Sequence, residues 1–544
     1  MRVNIGRNLE IFISRFFILK FEIWGNFNYT NSTKLRRVQQ NRYGVICVLP
    51  FSKNKRRKKI MNFSDVMKQE SMKKFTENGA EAYDRLNGSL VTLFAQIGAL
   101  RPRTEKEIED KFASAFNEDK LLATKMLFYC GNVRGGLGER RTFRICLKWL
   151  AKNYPSIVEK NIEVIPYYNR WDSLFELVDT SCEEAMWEFV SFCLEEDLKQ
   201  MGCGKPCSLL AKWLPTETAS SKKTRELAKR AIKNIGMTPR QYRKIVSALR
   251  EYIRVVERKM SLKEWETIDY STVPSYAMAR YNRAFKRHDG ERFSKYVEAL
   301  NEGKAKINAS TLYPYDLVRN YLGYGAETNL LAEQQWKALP NYVERENNII
   351  VMADVSGSMS GRPMETSIGL AIYFAERNKG EYQNCYMTFT NEPHFIKLNP
   401  NDTLRAKVAQ VKRTDVGYNT NLEKAFEYIL TNATYYQIKN KDMPKALVVI
   451  SDLEIDNYIQ FYGLDFVGEM KKKFASHSYT LPLLVLWNVE ARNDTFLSQS
   501  EDVINISGQS PTAFKSFLGA LNGKTSWDIM IETLNNKMYE FVRI

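Results

Sequence analysis

Histidine is scarce, with three in 544 residues. Chemistry that leans on imidazole as a base or metal ligand therefore has few places to start. Long apolar runs are missing too. Ile11–Trp24 is broken by Arg15, Lys20 and Glu22, and Leu481–Trp487 spans only seven residues, against the ~20 that cross a bilayer. No membrane span is expected, and no small-residue cleavage site follows a clean apolar core, as a secretory leader requires. The eight cysteines (47, 130, 146, 182, 193, 203, 207, 385) follow no disulfide-framework spacing. Cys146 and Cys193 sit in apolar helical patterns, where a reduced buried thiol is expected. Cys203 and Cys207 form a C-x3-C with no second pair or nearby histidine, short of a four-ligand zinc set. A reducing intracellular compartment follows, cytoplasmic in the first instance.

What is present points to a globular, soluble chain: 44% of residues are apolar and 26% charged. Its length exceeds one ordinary core, so two or more domains are expected. The net charge of +17 is uneven. Residues 1–60 hold fourteen Lys/Arg against Glu10 and Glu22, which is +12. Residues 205–263 hold sixteen against four Glu, again +12, so the rest of the chain is acidic. Residues 1–60 read as a basic, disordered extension. Its run KNKRRKK (53–59) reads as a solvated charge run, with a nuclear-import or nucleic-acid patch as the alternative.

Residues 61–340 read as a helical-repeat domain. Leu90–Ala99, Leu121–Tyr129, Thr142–Leu150, Glu183–Leu194, Thr224–Ile235 and Pro239–Lys263 are apolar-periodic and separated by Gly-, Pro- or Asn-containing breaks. Such helix pairs suggest a solenoid of the HEAT type or a large bundle, though no repeat of fixed period stands out.

Two of these helices carry sorted basic faces. Arg243, Arg250, Arg254 and Arg258 share one side of Arg243–Lys259, opposite Ile245, Leu249, Tyr252 and Val256. Arg140, Arg144 and Lys148 recur every four residues beside the stripe Phe143, Leu147 and Leu150. With Arg134, Lys222 and Lys223 they are candidate RNA contacts, because arginine forks match phosphate. The competing reading is an ordinary solvated helix surface. Trp213 or Tyr242 would stack bases if exposed, and burial is the alternative.

After an irregular connector at 300–346, the pattern changes. Strand-like runs at 347–353, 383–390, 445–450, 481–487 and 502–506 alternate with helical patterns at 363–378, 402–411, 421–436, 461–474 and 511–541. This predicts a doubly wound α/β domain over 341–544, with a mostly parallel sheet.

Within it, Asp354, Ser356 and Ser358 form D-x-S-x-S in the loop after the first strand. Gly417–Asn421 supplies Thr420 just before a helix, and Asp452 ends the apolar run Val448–Ile450. In a doubly wound sheet these three loops converge on one edge. This half resembles a von Willebrand factor type A domain with a metal-ion-dependent adhesion site. The resemblance implies that Asp354, Ser356, Ser358, Thr420 and Asp452 hold Mg²⁺ or another divalent cation. Oxygen ligands suit Mg²⁺, and neutral hydroxyls leave charge for a carboxylate offered by a protein partner. The alternative is that these polar groups only shape the loop and cap its helix.

The segments CGNVRGGLGERRTFRICLKWL (130–150), IPYYNRWDSL (165–174) and SLLAKWLPTETASS (208–221) resemble a little-characterised family in which a helical-repeat region precedes an A domain. That architecture is similar to the TROVE-module Ro ribonucleoproteins, which implies binding of small structured RNA but transfers no single contact residue.

Other motifs point less far. Gly519–Thr525 is one residue short of a P-loop and lies between helical patterns. Gly131–Gly138 follows a helix, so it reads as a helix–helix turn that gathers Arg134, Arg140 and Arg141. A Ser356 or Ser358 nucleophile lacks a nearby base in sequence, although His394 could approach in space. Ser356 also stands where an aspartyl phosphotransferase would want its second aspartate. The expectation is a non-enzymatic binding protein for RNA and a protein ligand. A pure protein–protein adaptor with a helical peptide groove is the alternative, and a metal-dependent phosphoester hydrolase the remotest one.

Overall fold

Thr104 opens the helix Glu105–Glu118 with a reciprocal cap: its hydroxyl accepts from the Glu107 N–H, and the Glu107 carboxylate accepts from the Thr104 N–H. Thr238 and Gln241 repeat the device ahead of Pro239–Tyr252. Each box satisfies N–H groups that a helix start leaves bare, typically worth about 1 kcal/mol. The computed structural model describes residues 73–75, 81–83, 86, 88–323, 326–343, 348–414, 421–454, 466–494, 496, 503–510, 513 and 524–544. Residues 1–60, Thr420 with its loop 415–419, and 519–523 of the near P-loop lie outside them.

A short antiparallel hairpin, β1 (Lys73–Phe75) with β2 (Glu81–Tyr83), precedes the helices. The expected helices are there at Ser89–Gln96, Lys120–Gly131, Arg140–Asn153, Glu183–Gly202 and Lys222–Asn234. Glu105–Glu118, Ser275–His288 and Gly290–Asn301 add to them. The latter two close a core of their own, in which Phe285 and Phe293 pack on Tyr270. The expected irregular connector at 300–346 instead holds two short helices, Pro314–Val318 and Leu330–Lys337. Pro314 presets the first turn of one, and the Asn329 side chain caps the other.

The predicted single helix Pro239–Lys263 is two, Pro239–Tyr252 and Val256–Ser261. The break is a Schellman closure. The Val255 N–H bonds the Arg250 carbonyl at 3.0 Å and the Arg254 N–H bonds the Glu251 carbonyl at 2.9 Å. The left-handed position is Arg254, at φ 52°. That place is usually glycine, so the sequence carries no visible stop there.

The C-terminal sheet has the order β5-β4-β3-β6-β7-β8. β3 (Ile349–Ala353), β4 (Cys385–Thr388), β6 (Ala446–Ser451), β7 (Leu483–Asn488) and β8 (Val503–Ser507) run parallel. β5 (Phe395–Lys397), not foreseen from the sequence, pairs antiparallel with β4 at the edge. Continuous burial of β3, β6 and β8 fits strands covered on both faces. One face packs Met352, Leu447, Val449 and Leu486 on Phe426 and Ile429 of Leu422–Tyr435 and on Phe474 of Phe466–Ser476. The helix Arg362–Arg377 packs on β3, β4 and β6, and its Phe374 ring meets Trp487 at 6.0 Å.

The helical and sheet segments interlock, and Phe63–Ile544 form one compact unit. Ser89–Gln96 packs on β8, and Ser526–Leu534 packs on that helix and on Lys120–Gly131. At the seam a Cβ on Gly98 would lie 2.7 Å from the Gly508 Cα, so the two backbones touch only because glycine stands at 98. Gly508 itself sits at φ 109°. Around them the Gly98 N–H donates to Ser507 Oγ at 3.0 Å, and the Ala491 N–H donates to the Ala99 carbonyl at 3.0 Å.

Candidate functional site

β3 and β6 are register partners, with Ala353 opposite Ile450. Each runs out at its carboxyl end into an aspartate, Asp354 and Asp452, which are 2% and 1% exposed. The Asp354 N–H extends the ladder to the Ile450 carbonyl at 3.0 Å, which fixes where its side chain leaves the sheet. Its Oδ1 accepts from the Ser356 N–H at 2.8 Å and its Oδ2 from Ser451 Oγ at 2.6 Å. Ser356 and Ser358 pair through their hydroxyls at 3.0 Å, the first half-buried and the second exposed.

The electrostatics are those of two acids kept from water. Burial pushes the Asp354 carboxyl up to about 6, against the pull of bonds from Ser356 and Ser451, and the Asp452 charge adds to the rise. Asp452 Oδ1 accepts from the Glu454 N–H at 3.3 Å. Its Oδ2 is buried without a hydrogen bond, and the Arg492 Nη1 cation stands 3.9 Å from it. Arg492 is aimed by Glu490 (2.7 Å) and also donates to the Ser358 carbonyl, so it crosses the mouth of the loop. The donor set is therefore two carboxylates and two hydroxyls, all oxygen, with one carboxylate oxygen unsatisfied. Such a set fits a hard divalent cation. Among the described residues no group of three or more His, Cys, Asp or Glu is placed to hold a metal ion, at Cys203 and Cys207 or elsewhere. The set at this edge instead rests on serines.

Thus Asp354, Ser356, Ser358 and Asp452 come together at one edge, while Thr420 lies outside the described residues. Ser451 and Arg492 escaped the sequence reading. Ser451 had a signal, the Ser-Asp pair ending a buried strand; Arg492 had none. His394 does not serve the serines: its Nδ1 faces Thr388 Oγ1 at 3.3 Å and the Glu392 carbonyl at 3.2 Å.

The basic residues fare differently. Because the helix breaks at Arg254, Arg243, Arg250, Arg254 and Arg258 share no continuous face. Arg250 is turned inward. Its Nε and Nη2 donate to the Ala211 and Leu214 carbonyls, each at 2.8 Å, and burial holds its guanidinium below its ordinary value. Arg243 pairs with Glu217 at 3.3 Å and Arg258 with Glu251 at 3.1 Å. Arg144 pairs with Asp172 at 2.8 Å, and burial lowers Arg140, with neighbouring Arg170 adding to that. Lys148, Lys222, Lys223 and Arg254 are exposed. The turn Gly131–Gly138 does not gather its arginines as expected. Arg134 reaches the Tyr167 carbonyl, Arg141 reaches those of Arg101 and Arg103, and Arg140 turns towards Asp172 and Tyr315.

Tyr242 is buried with its hydroxyl on the Pro215 carbonyl at 2.8 Å, so it does not stack on a ligand. Trp213 is half-buried beneath the Arg170 guanidinium, 4.1 Å from the ring centre. Trp213, Lys212, Arg243, Arg250, Arg258 and Arg280 help to line a groove of about 460 Å³. Among the described residues no helix is long and apolar enough to cross a membrane.

Comparison with known proteins adds relatives of undetermined role. Two domains of unknown function match, DUF2828 over residues 76–173 and 207–349 and DUF7788 over residues 348–539. They meet where the helical segment gives way to β3. The chain is 29% identical over 488 residues to an uncharacterized protein of Acanthamoeba polyphaga mimivirus, covering 82% of this chain and 84% of that one. The crystal structure of the Deinococcus radiodurans Ro (RSR) protein is similar at 12% identity, over 85% of this chain and 96% of that one, with a TM-score of 0.39. A likeness at that level establishes no common fold.

Proposed function

We propose that this chain is a non-enzymatic binding protein whose sheet edge holds a divalent cation, Mg²⁺ in the first instance, to capture a carboxylate of a protein partner. Asp354, Ser356, Ser358 and Asp452 are the ligands, and the resemblance to an adhesion site adds Thr420, which lies outside the described residues. The observation that carries this reading is the Asp452 Oδ2 atom, buried and without a hydrogen bond beside a second buried carboxylate. Arg492 Nη1 at 3.9 Å compensates that charge only in part; a buried carboxylate short of partners is costly, and a divalent cation relieves it. When bound, the cation offers an exchangeable position to an incoming oxygen ligand. Turnover is not part of the reading, since the two serine hydroxyls face each other and His394 faces Thr388.

Calorimetric titration of the full chain with Mg²⁺ tests this. Saturable binding that Asp354→Ala removes supports it; absence of binding by Mg²⁺ and Mn²⁺ alike overturns it.

A second reading, RNA binding by the helical region, is favoured by the exposed Lys148, Lys222, Lys223 and Arg254 and by the basic groove. Structured RNA should bind with steep salt dependence, weakened by Lys222→Glu with Lys223→Glu. Binding that ignores salt and both changes rules it out.

A further inference from the structure

The groove between Leu210–Trp213, Pro239–Tyr252 and Val256–Ser261 carries more positive charge than its own carboxylates balance. Three of its five cations are matched: Lys212 with Glu257 at 3.4 Å, Arg243 with Glu217 and Arg258 with Glu251. Arg250 and Arg280 are not; among the described residues neither has a carboxylate within ion-pair distance. Arg250 is held by two carbonyl oxygens, which fix its plane without neutralising it. A partly buried guanidinium without a counter-charge asks for an anion, and a fixed fork suits phosphate oxygens.

Two further features narrow the ligand. Trp213 lines the same groove, with the Arg170 guanidinium over one face of its ring, so only the rest of the ring is offered to a ligand. Glu257 spends Oε1 on Lys212 and on the Tyr281 hydroxyl at 3.2 Å, while its Oε2 is buried with no donor. An acceptor without a donor repels a bare phosphate but welcomes a hydroxyl. The volume of about 460 Å³ is of small-ligand size.

From this juxtaposition we infer that the groove binds one nucleoside phosphate: the phosphate on Arg250 and Arg280, the base on Trp213, and a ribose hydroxyl on Glu257. The unit is either a free nucleotide or one residue of an RNA strand. In the second case the inference rests on the RNA reading above and names what that surface recognises.

Calorimetry on the full chain with AMP, adenosine and inorganic phosphate separates the contributions. AMP should bind saturably and at least about tenfold tighter than either part. Arg280 is exposed, rests near the Tyr281 ring and makes no ion pair among the described residues, so Arg280→Gln leaves the fold intact. It should weaken AMP about tenfold and leave adenosine unchanged. Trp213→Leu should weaken AMP and adenosine together. AMP that fails to bind, or binds equally well to both variants, overturns the inference for a free nucleotide. A short oligoadenylate gives the other arm. Competition with AMP, weakened by Arg280→Gln, supports a strand residue as the source. Oligoadenylate binding unchanged by AMP and by both variants overturns the strand source while leaving RNA binding elsewhere intact. AMP binding with no binding of any RNA overturns the RNA reading and keeps the groove.

Discussion

The acidic sheet edge and the basic helical groove use the same material, charged side chains close to backbone, in opposite ways. At the edge, strand register does the placing. Ala353 lies opposite Ile450, so the next residue of each strand delivers an acid or its hydroxyl donor to one spot. In the groove, helix ends do the placing. Arg250 is turned onto carbonyls at a neighbouring short helix and its end, and beside the groove Arg254 occupies a left-handed cap. Period-two strands in a buried sheet transmit position rigidly from residue to residue. A helical face persists only as long as the helix does, and here it stops at Tyr252.

The comparison breaks most visibly if the edge is neutralised. Asp354→Ala should lower divalent-cation affinity by about a hundredfold or more, read by calorimetry, because loss of a ligand exceeds the 10–100-fold typical of outer-shell partners. Ser451→Ala sharpens the same point at one remove. It deprives Asp354 Oδ2 of its 2.6 Å donor, which should weaken cation binding about tenfold and cost about 1–3 kcal/mol by chemical denaturation.

The seam that joins the two regions is the next target. Gly98→Ala places a methyl 2.7 Å from the Gly508 Cα, and this should destabilise the chain by about 1–3 kcal/mol. An unchanged denaturation midpoint would mean that the helical segment and β8 are not held in contact.

The smallest effect belongs to the helix break beside the groove. Arg254→Gly relieves a left-handed arginine, which costs about 1–2 kcal/mol for a residue with a Cβ. Greater freedom in the unfolded chain takes back about 0.4–1 kcal/mol. A net gain of about 0–1.6 kcal/mol is expected from thermal unfolding, the opposite sign to a residue whose helical position mattered for folding.

What could be read from the chain follows the same divide. The five parallel strands, the helices between them and the placement of Asp354 and Asp452 at neighbouring strand ends were legible, because apolar runs punctuated by polar loops encode them directly. β5 was not, being three residues of an antiparallel edge with no apolar run of its own. The arginines were legible as charge but not as geometry. Nothing near Arg254 announces a helix stop, since the left-handed cap carries no glycine. Nor does any local pattern reveal that Arg250 would meet the carbonyls of Ala211 and Leu214, some 39 and 36 positions away. Arg492 crosses to the Ser358 carbonyl over a separation of 134 residues, a contact that only tertiary packing creates.

We propose that a cation sits where β3 and β6 end. Anomalous scattering from crystals of the full chain grown with Mn²⁺ tests it most directly. A single strong peak bounded by Asp354, Ser356, Ser358 and Asp452, absent from Asp354→Ala crystals, is the predicted result. A saturated crystal with no density there, or with the ion bound only elsewhere, would contradict it.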